Sequence, residues 1–178
     1  MLQKPDIKDL FYSLLNGNYF DTIIEFGTAS GQLTHIIWEI KKSQGLPFVI
    51  HTFDLSDMGT PWNHRINAIP EINVHYKDIF KSESEIADLI INGGKTLLLC
   101  DNGNKILEFN TYSKYLKSND VIMAHDYSPS NSFWENNKHW PVLEIEDKDI
   151  IDSINNNELI TYQNDFTLTY GWCCFKKI

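Results

Sequence analysis

The order of segments along this chain predicts an α/β protein built on a mostly parallel sheet with helices on both faces. Three observations lead there. Short β-rich runs alternate with segments of helical periodicity, with no repeat and no low-complexity linker. One run, 96–101 (TLLLCD), is continuously apolar up to a terminal acid, as a strand buried on both faces must be. Four of the first five predicted strands end in or beside an acid, at Glu25, Asp54, Asp101 and Asp126. In a doubly wound sheet ligands lie outside the carboxyl ends of the strands, so these acids mark the functional edge.

Residues 5–16 place Ile7, Leu10, Phe11, Leu14 and Leu15 on one helical stripe, with Pro5 near the start and Gly17 past the end. Residues 20–26 (FDTIIEF) read as a strand, and GTASG then turns the chain into a helix over about 31–43. A second strand spans 47–54 (PFVIHTFD); a loop rich in Pro, Gly and polar residues leads to a third at 72–77 (INVHYK). Residues 82–92 form a helix with Ile86, Leu89 and Ile90 as its apolar face, followed by the strand 96–101. A helix over 104–116 and a strand over 120–126 (DVIMAHD) come next. A long loop, a helix over about 147–157 and two strands near 159–164 and 170–177 complete the chain.

With 178 residues, 42% hydrophobic, the chain can bury one sizeable core, so a single domain is expected. Fifteen basic against 24 acidic residues give a net charge of −9, and Arg65 is the only arginine. That balance opposes a general nucleic-acid binder and an anionic-membrane binder, both of which need clustered cations. No apolar run approaches a bilayer span, and Met1 to Lys8 already carries charges and Pro5 where a signal peptide would begin its apolar core. Three cysteines are too few for a disulfide framework. Cys173 and Cys174, adjacent in a strand, would face opposite ways, so reduced thiols in a cytoplasmic protein are expected.

The turn Gly27-Thr28-Ala29-Ser30-Gly31 lies between a strand and a helix N-terminus, where glycines permit positive φ and close backbone approach. Its spacing is G-x-x-x-G, not the G-x-G-x-x-G of dinucleotide enzymes. Asp54 follows Gly31 by 23 residues, at a strand end where a carboxylate can accept both ribose hydroxyls; a solvated strand-end acid is the plain alternative. Asp78 follows the third strand and would either accept an adenine amino hydrogen, with Ile79 or Phe80 against the ring, or simply cap a helix. Gly94-Lys95-Thr96 has the look of a P-loop end but precedes its strand, and Leu89 stands where the first glycine is required; an NTPase is excluded.

Glu25-Phe-Gly27-Thr-Ala-Ser-Gly31-Gln-Leu-Thr34, Asp54, Asp78-Ile79 and Leu99-Cys-Asp101 together resemble class I S-adenosylmethionine-dependent methyltransferases over about residues 18–178. The resemblance implies a Rossmann-like seven-stranded sheet in the order 3-2-1-4-5-7-6, its last pair antiparallel. It further implies cofactor contacts by Glu25, Gly27, Thr28, Ser30, Gly31, Asp54, Leu55, Asp78, Ile79, Asp101 and Asn102, with Glu25 near the methionine end.

The segments Cys-Asp101-Asn102-Gly-Asn-Lys105 and Ile122-Met-Ala-His125-Asp126-Tyr127 resemble metal-dependent O-methyltransferases, in particular the macrocin O-methyltransferase and cephalosporin-hydroxylase-type group. In the implied strand order, Asp101, His125 and Asp126 end neighbouring strands and could share one divalent ion, Mg²⁺ or Mn²⁺. His125 departs from the all-oxygen ligand set of catechol-type relatives, which favours Mn²⁺, Fe²⁺ or Zn²⁺ over Mg²⁺. Alternatively His125 is the general base, or it merely ties the strand ends together. Lys105 resembles the lysine base of catechol-type enzymes at a spacing one residue longer; an exposed lysine on a first helical turn is the plain alternative.

Two polar segments are candidate walls for a substrate: 57–64, with Trp62 and His64, and 127–141, with Tyr127, Trp134 and His139. The expected activity is methylation of a hydroxyl on a small molecule such as a sugar or secondary metabolite. A cofactor-binding module without catalysis and a nucleic-acid methyltransferase are the alternatives. The charge opposes the second, as does the lack of an Asn/Asp-Pro-Pro-Tyr-type motif at Asp101-Asn-Gly-Asn. Hydroxylation would need an iron-binding facial triad that these residues do not assemble. A homo-oligomer that completes the pocket stays open.

Overall fold

A computed structural model describes residues 7–138, 140–163 and 170–178. The parallel part of the sheet is built by β1 (Thr22–Phe26), β2 (Val49–Asp54), β3 (Ile72–Tyr76), β4 (Thr96–Cys100) and β5 (Val121–Ala124). Between them run α1 (Ile7–Gly17) before the sheet, α2 (Gln32–Gln44), α3 (Pro61–Asn67), α4 (Glu83–Asn92) and α5 (Lys105–Tyr112), the last continued by one 3₁₀ turn. After β5 come β6 (Tyr127–Ser128), α6 (Asn131–Asn137), β7 (Ile145–Glu146), α7 (Asp147–Asn156), β8 (Leu159–Thr161) and β9 (Cys173–Lys177).

The main sheet has the order β3-β2-β1-β4-β5-β9-β8, with β9 antiparallel to both β5 and β8. Counting only its own seven strands, this is the 3-2-1-4-5-7-6 order that the sequence resemblance implies. The addition is a separate parallel ribbon of β6 and β7, whose two-residue strands are too short to leave an alternation in the sequence.

Successive residues of each strand feed opposite layers. Ile23, Leu97, Leu99 and Met123 join Phe11, Leu14, Leu15, Ile37, Ile40 and Ile66 of α1, α2 and α3 in one core. Ile24, Phe26, Leu98 and Ile122 join Ile86, Phe109 and Ile150 of α4, α5 and α7 in the other. Cys173 belongs to the second layer and Cys174 to the first, as adjacent strand residues must, and all three cysteines are free and buried. No described helix is long and apolar enough to cross a membrane.

Two segments read as loops contain helices. In the first, Thr60 accepts a hydrogen bond from the Asn63 amide, Pro61 follows it, and the Asn63 side chain closes the capping box that starts α3. In the second, Ser130 caps α6 through the Phe133 amide. Each helix has seven residues, too few for a periodic apolar stripe; their caps were the readable signal.

At the opposite end of the sheet from the cofactor-type turn, buried Asp120 ties the starts of β4 and β5 together. Its carboxylate accepts from the Thr96 amide and the Lys117 amide, each at 2.7 Å, and from the Lys117 ammonium at 2.9 Å. Asp120→Ala leaves the buried Thr96 amide without its acceptor, a loss of about 1–3 kcal/mol for each such group. Urea denaturation of the variant is expected to show that loss as a lower midpoint at unchanged slope.

Candidate functional site

The carboxyl ends of β1, β2, β4 and β5 carry one continuous site, and its geometry starts at Gly27. There φ is +91°, and a Cβ on this residue would lie 2.2 Å from the Asp101 carbonyl oxygen and 2.9 Å from the Asn102 Cα. Only glycine allows β1 to turn while the β4–α5 connection passes this closely. Gly31, at φ +83°, is less crowded: a Cβ there would lie 3.0 Å from Ile66 Cδ1 and 3.3 Å from the Trp62–Asn63 backbone. Gly27 therefore answers to neighbouring protein backbone, and Gly31 chiefly to its positive φ. The sequence reading expected the backbone to approach a ligand closely here; the close approach in the structure is to the protein's own β4–α5 connection.

The Asp101–Asn102 crest separates two cavities. The first, of about 300 Å³, is lined by Gly27, Thr28, Ser30, Gln32, Asp101 and His125, with Ile7, Ile36, Tyr170 and Trp172 as an apolar wall. The second, of about 220 Å³, is lined by Leu55, Asp78, Ile79, Phe80, Asn102 and Glu108. Asp54 bridges the two on the open side: its carboxylate accepts from the Ala29 amide at 2.8 Å and the Leu55 amide at 2.7 Å. α2 begins at the first cavity with no side-chain cap, so its N-terminus offers a favourable place for a ligand carboxylate.

Asp78 accepts from the Phe80 amide at 3.0 Å and lies 3.3 Å from the Lys81 ammonium, so it shapes the turn beneath the second cavity. Ile79 is buried at the cavity floor, and its carbonyl accepts from the Tyr112 hydroxyl at 2.6 Å. Glu108, which the sequence reading missed, accepts from the Asn102 and Asn104 amides and so holds the crest in place. Its position one turn into α5, facing back to its own N-terminus, was the available signal.

Glu25 sits behind the first cavity. It is 1% exposed, lines neither cavity, and accepts hydrogen bonds from Thr34 and, at 2.6 Å, from Thr52. The Thr28 and Thr52 hydroxyls are 2.6 Å apart, so Glu25 reaches the first cavity only through this threonine chain. Burial pushes its carboxyl up to about 7, against the lowering effect of the two threonine bonds. Burial likewise raises Glu108 to about 7, outweighing its bonds from the Asn104 and Asn102 amides.

At the other end of the first cavity the ladder continues past β4 and β5: the Asp101 amide bonds to the Phe26 carbonyl and the His125 amide to the Cys100 carbonyl, both at 3.0 Å. This register brings Asp101, His125 and Asp126 together. His125 Nδ1 lies 3.1 Å from Asp101 Oδ1 and 3.7 Å from Asp126 Oδ1, and its ring stacks on Trp172 at 4.7 Å. Burial alone would lower the His125 pKa, but the Asp101 hydrogen bond and the charges of Asp101 and Asp126 raise it on balance. Asp126 adopts φ +55°, a left-handed turn that aspartate tolerates better than most residues.

Lys105 is not the exposed first-turn lysine of the plain sequence alternative. Its side chain is 7% exposed and its Nζ lies 2.8 Å from Glu144, 3.2 Å from Asp126 and 3.8 Å from Asp101. Burial works against its charge, yet the Glu144 hydrogen bond and the charges of Asp126 and Asp101 outweigh it and raise its pKa, so Lys105 is an ammonium and not a free base. Glu144 was invisible in the sequence, where no spacing relates it to Lys105 39 residues earlier.

The ligand atoms of Asp101, His125 and Asp126 lie within 4.8 Å of one another, a span that suits a divalent ion. The donor set does not fit one as it is arranged. His125 Nδ1 is directed at Asp101 Oδ1, and the Lys105 ammonium faces Asp126 Oδ2, so the coordinating atoms already face one another or a cation.

The proposed substrate walls fare unevenly. Trp62 packs on His35 and Arg65 outside both cavities, and His64 is exposed. Tyr127 donates to Asp147 and lines a different, largely apolar cavity with Phe133, Ile151 and Phe175. Trp134 donates to the Trp140 carbonyl at 3.2 Å. His139 lies outside the described residues. Tyr170 and Trp172, next to the final strand, form the aromatic wall instead.

No family model matches the chain, and no curated protein matches it in sequence. Solved structures do match it in fold. Two structures of cmcI, one with SAH and one with Mg and SAM, each give a TM-score of 0.65 at 13% and 12% identity, covering 100% of this chain and 79% and 73% of that one. A candidate caffeoyl-CoA O-methyltransferase from Staphylococcus aureus gives 0.62 at 12% identity over 97% of this chain and 85% of its own. The tRNA (m1A58) methyltransferase TrmI from Aquifex aeolicus gives 0.54 at 14% identity, over 99% and 70%. The chain thus has the fold of class I S-adenosylmethionine-dependent methyltransferases, a fold these relatives combine with different acceptors.

The two buried glutamates make stability depend on pH. Each has a folded pKa above its unfolded one, so the native state holds more protons between about pH 4.5 and 7. Their contribution to stability is therefore fully present below that window and is lost as pH rises through it, by a few kcal/mol in order of magnitude. Thermal unfolding from pH 5 to 8 is expected to show the decline, and Glu25→Gln to flatten it.

Proposed function

We propose that this chain is an S-adenosylmethionine-dependent methyltransferase acting on a hydroxyl of a small molecule. One observation carries the reading: two cavities share the Asp101–Asn102 crest, and the Asp54 carboxylate bonds one backbone amide on the rim of each. A ligand with an amino-acid arm, a ribose and a base fits such a division. The uncapped α2 N-terminus beside Ser30 and Gln32 suits its carboxylate, Asp54 retains lone pairs for ribose hydroxyls, and Leu55, Ile79 and Phe80 offer apolar surface to the base.

When bound, that cofactor supplies a methyl group on a sulfonium, which is already a good leaving group. The chain has then to position an acceptor hydroxyl and take its proton. His125 is placed for the second task. Its Nδ1 donates to Asp101 Oδ1, which selects the tautomer with Nε2 as acceptor, and Trp172 fixes the plane of the ring. The hydroxyl proton passes to Nε2 and from there to solvent. Asp101 stabilises the imidazolium that forms, and the cavity wall of Ile7, Ile36, Tyr170 and Trp172 offers the acceptor apolar and aromatic surface. The fold-level likeness to O-methyltransferases and the net charge of −9 both support a small-molecule acceptor over a nucleic acid.

Calorimetric titration with S-adenosylhomocysteine is expected to give micromolar binding, weakened at least about tenfold by Asp54→Ala, the loss of one charge-assisted contact. Absence of binding would reject the proposal. In a screen of sugars and phenols scored by S-adenosylhomocysteine release, His125→Ala is expected to lower turnover of any accepted substrate by about 10²–10⁴ while leaving that binding in place.

A further inference from the structure

We infer that the Lys105 ammonium, held by Glu144, occupies the cation position among Asp101, His125 and Asp126, so that the reaction end works without a divalent metal. The inference rests on the reading of this cluster as the reaction end, and concerns its charge balance rather than the cofactor.

Lys105 is the first residue of α5, where the helix dipole disfavours a cation, and its side chain is almost wholly buried. A lysine there would ordinarily turn out to solvent. It is kept in by three carboxylates from three separate segments: Asp101 after β4, Asp126 after β5, and Glu144 before β7.

The four oxygens of Asp101 and Asp126 include three directed at nitrogens of the same cluster. Asp101 Oδ1 meets both His125 Nδ1 and Lys105 Nζ, Asp126 Oδ1 faces His125 Nδ1, and Asp126 Oδ2 faces Lys105 Nζ. A divalent ion drawing on these oxygens would have to displace the His125 and Lys105 contacts they already make, and would sit beside a fixed positive charge. Glu144 is a positioning residue. Its amide donates to the Asp126 carbonyl at 2.9 Å, locking it to the acid it assists, while its carboxylate makes the shortest of the three contacts to Lys105.

The test is calorimetric titration of the chelator-stripped full chain with MnCl₂, without cofactor. The wild type and Lys105→Arg are expected to take up no Mn²⁺ below millimolar concentration. Lys105→Met, which removes the charge and keeps the length, is expected to bind one Mn²⁺ at least about tenfold more tightly, and Asp126→Asn added to it to abolish that uptake. Glu144→Gln is expected to fall between wild type and Lys105→Met; it carries the test if Lys105→Met does not fold.

Wild-type binding at micromolar Mn²⁺ that the lysine variants leave unchanged would overturn the inference. So would failure of every folded variant to gain Mn²⁺ affinity, since Lys105 would then not be filling a cation position. S-adenosylhomocysteine binding, titrated separately, reports on the proposed function and not on this point.

Discussion

The site depends on one close backbone approach, that of Gly27 to the Asp101 carbonyl. Parallel pairing of β1 with β4 brings the two strand ends side by side, and the absent Cβ at residue 27 lets the β4–α5 connection cross directly against the β1 turn. That contact raises the crest between the two cavities, sets the height of Asn102 over the second, and aims Asp101 into the first. The other restraints act on the same crest. Glu108 holds it from below through two amides, and Asp54 fastens the two loops beside it.

Around this crest the acids divide into two electrostatic kinds. Glu25 and Glu108 face hydroxyls and amides, with no cation among the described residues in hydrogen-bonding contact, and burial favours their protonated forms. Asp101, Asp126 and Glu144 face Lys105 and His125, and here opposite charges compensate one another within a few ångströms. The first kind organises backbone. The second kind organises reactive side chains, with an imidazole oriented by a carboxylate at the edge of a cavity. The buried Lys105 needs such partners, because removing them would leave its charge stranded.

Legibility followed the length over which a signal extends. Five parallel strands and the five longer helices were readable because each repeats its pattern over many residues, as TLLLC in β4 or the stripe of α1 does. The sheet order and the cofactor positions came from resemblance, and the order holds in the structure. Short elements escaped: α3, α6 and the β6–β7 ribbon are specified by single caps and tertiary pairing. Trp62 was misplaced for the same reason, since a helix in 61–67 turns it toward His35 on α2 rather than toward the ligand edge. Glu144 left no trace, because its partner Lys105 is close only in space.

By itself the sequence determined the α/β class, the two-layer burial of each strand and the acids at the strand ends, since alternation and local turn chemistry are properties of neighbouring residues. Tertiary structure alone decided what those acids face. Glu25 turned inward to threonines from α2 and β2, whereas Asp101 and Asp126 turned to a lysine and a histidine. The physical reason is that a carboxylate's role is set by the charges and donors within a few ångströms of it, and here those come from segments far apart in the chain.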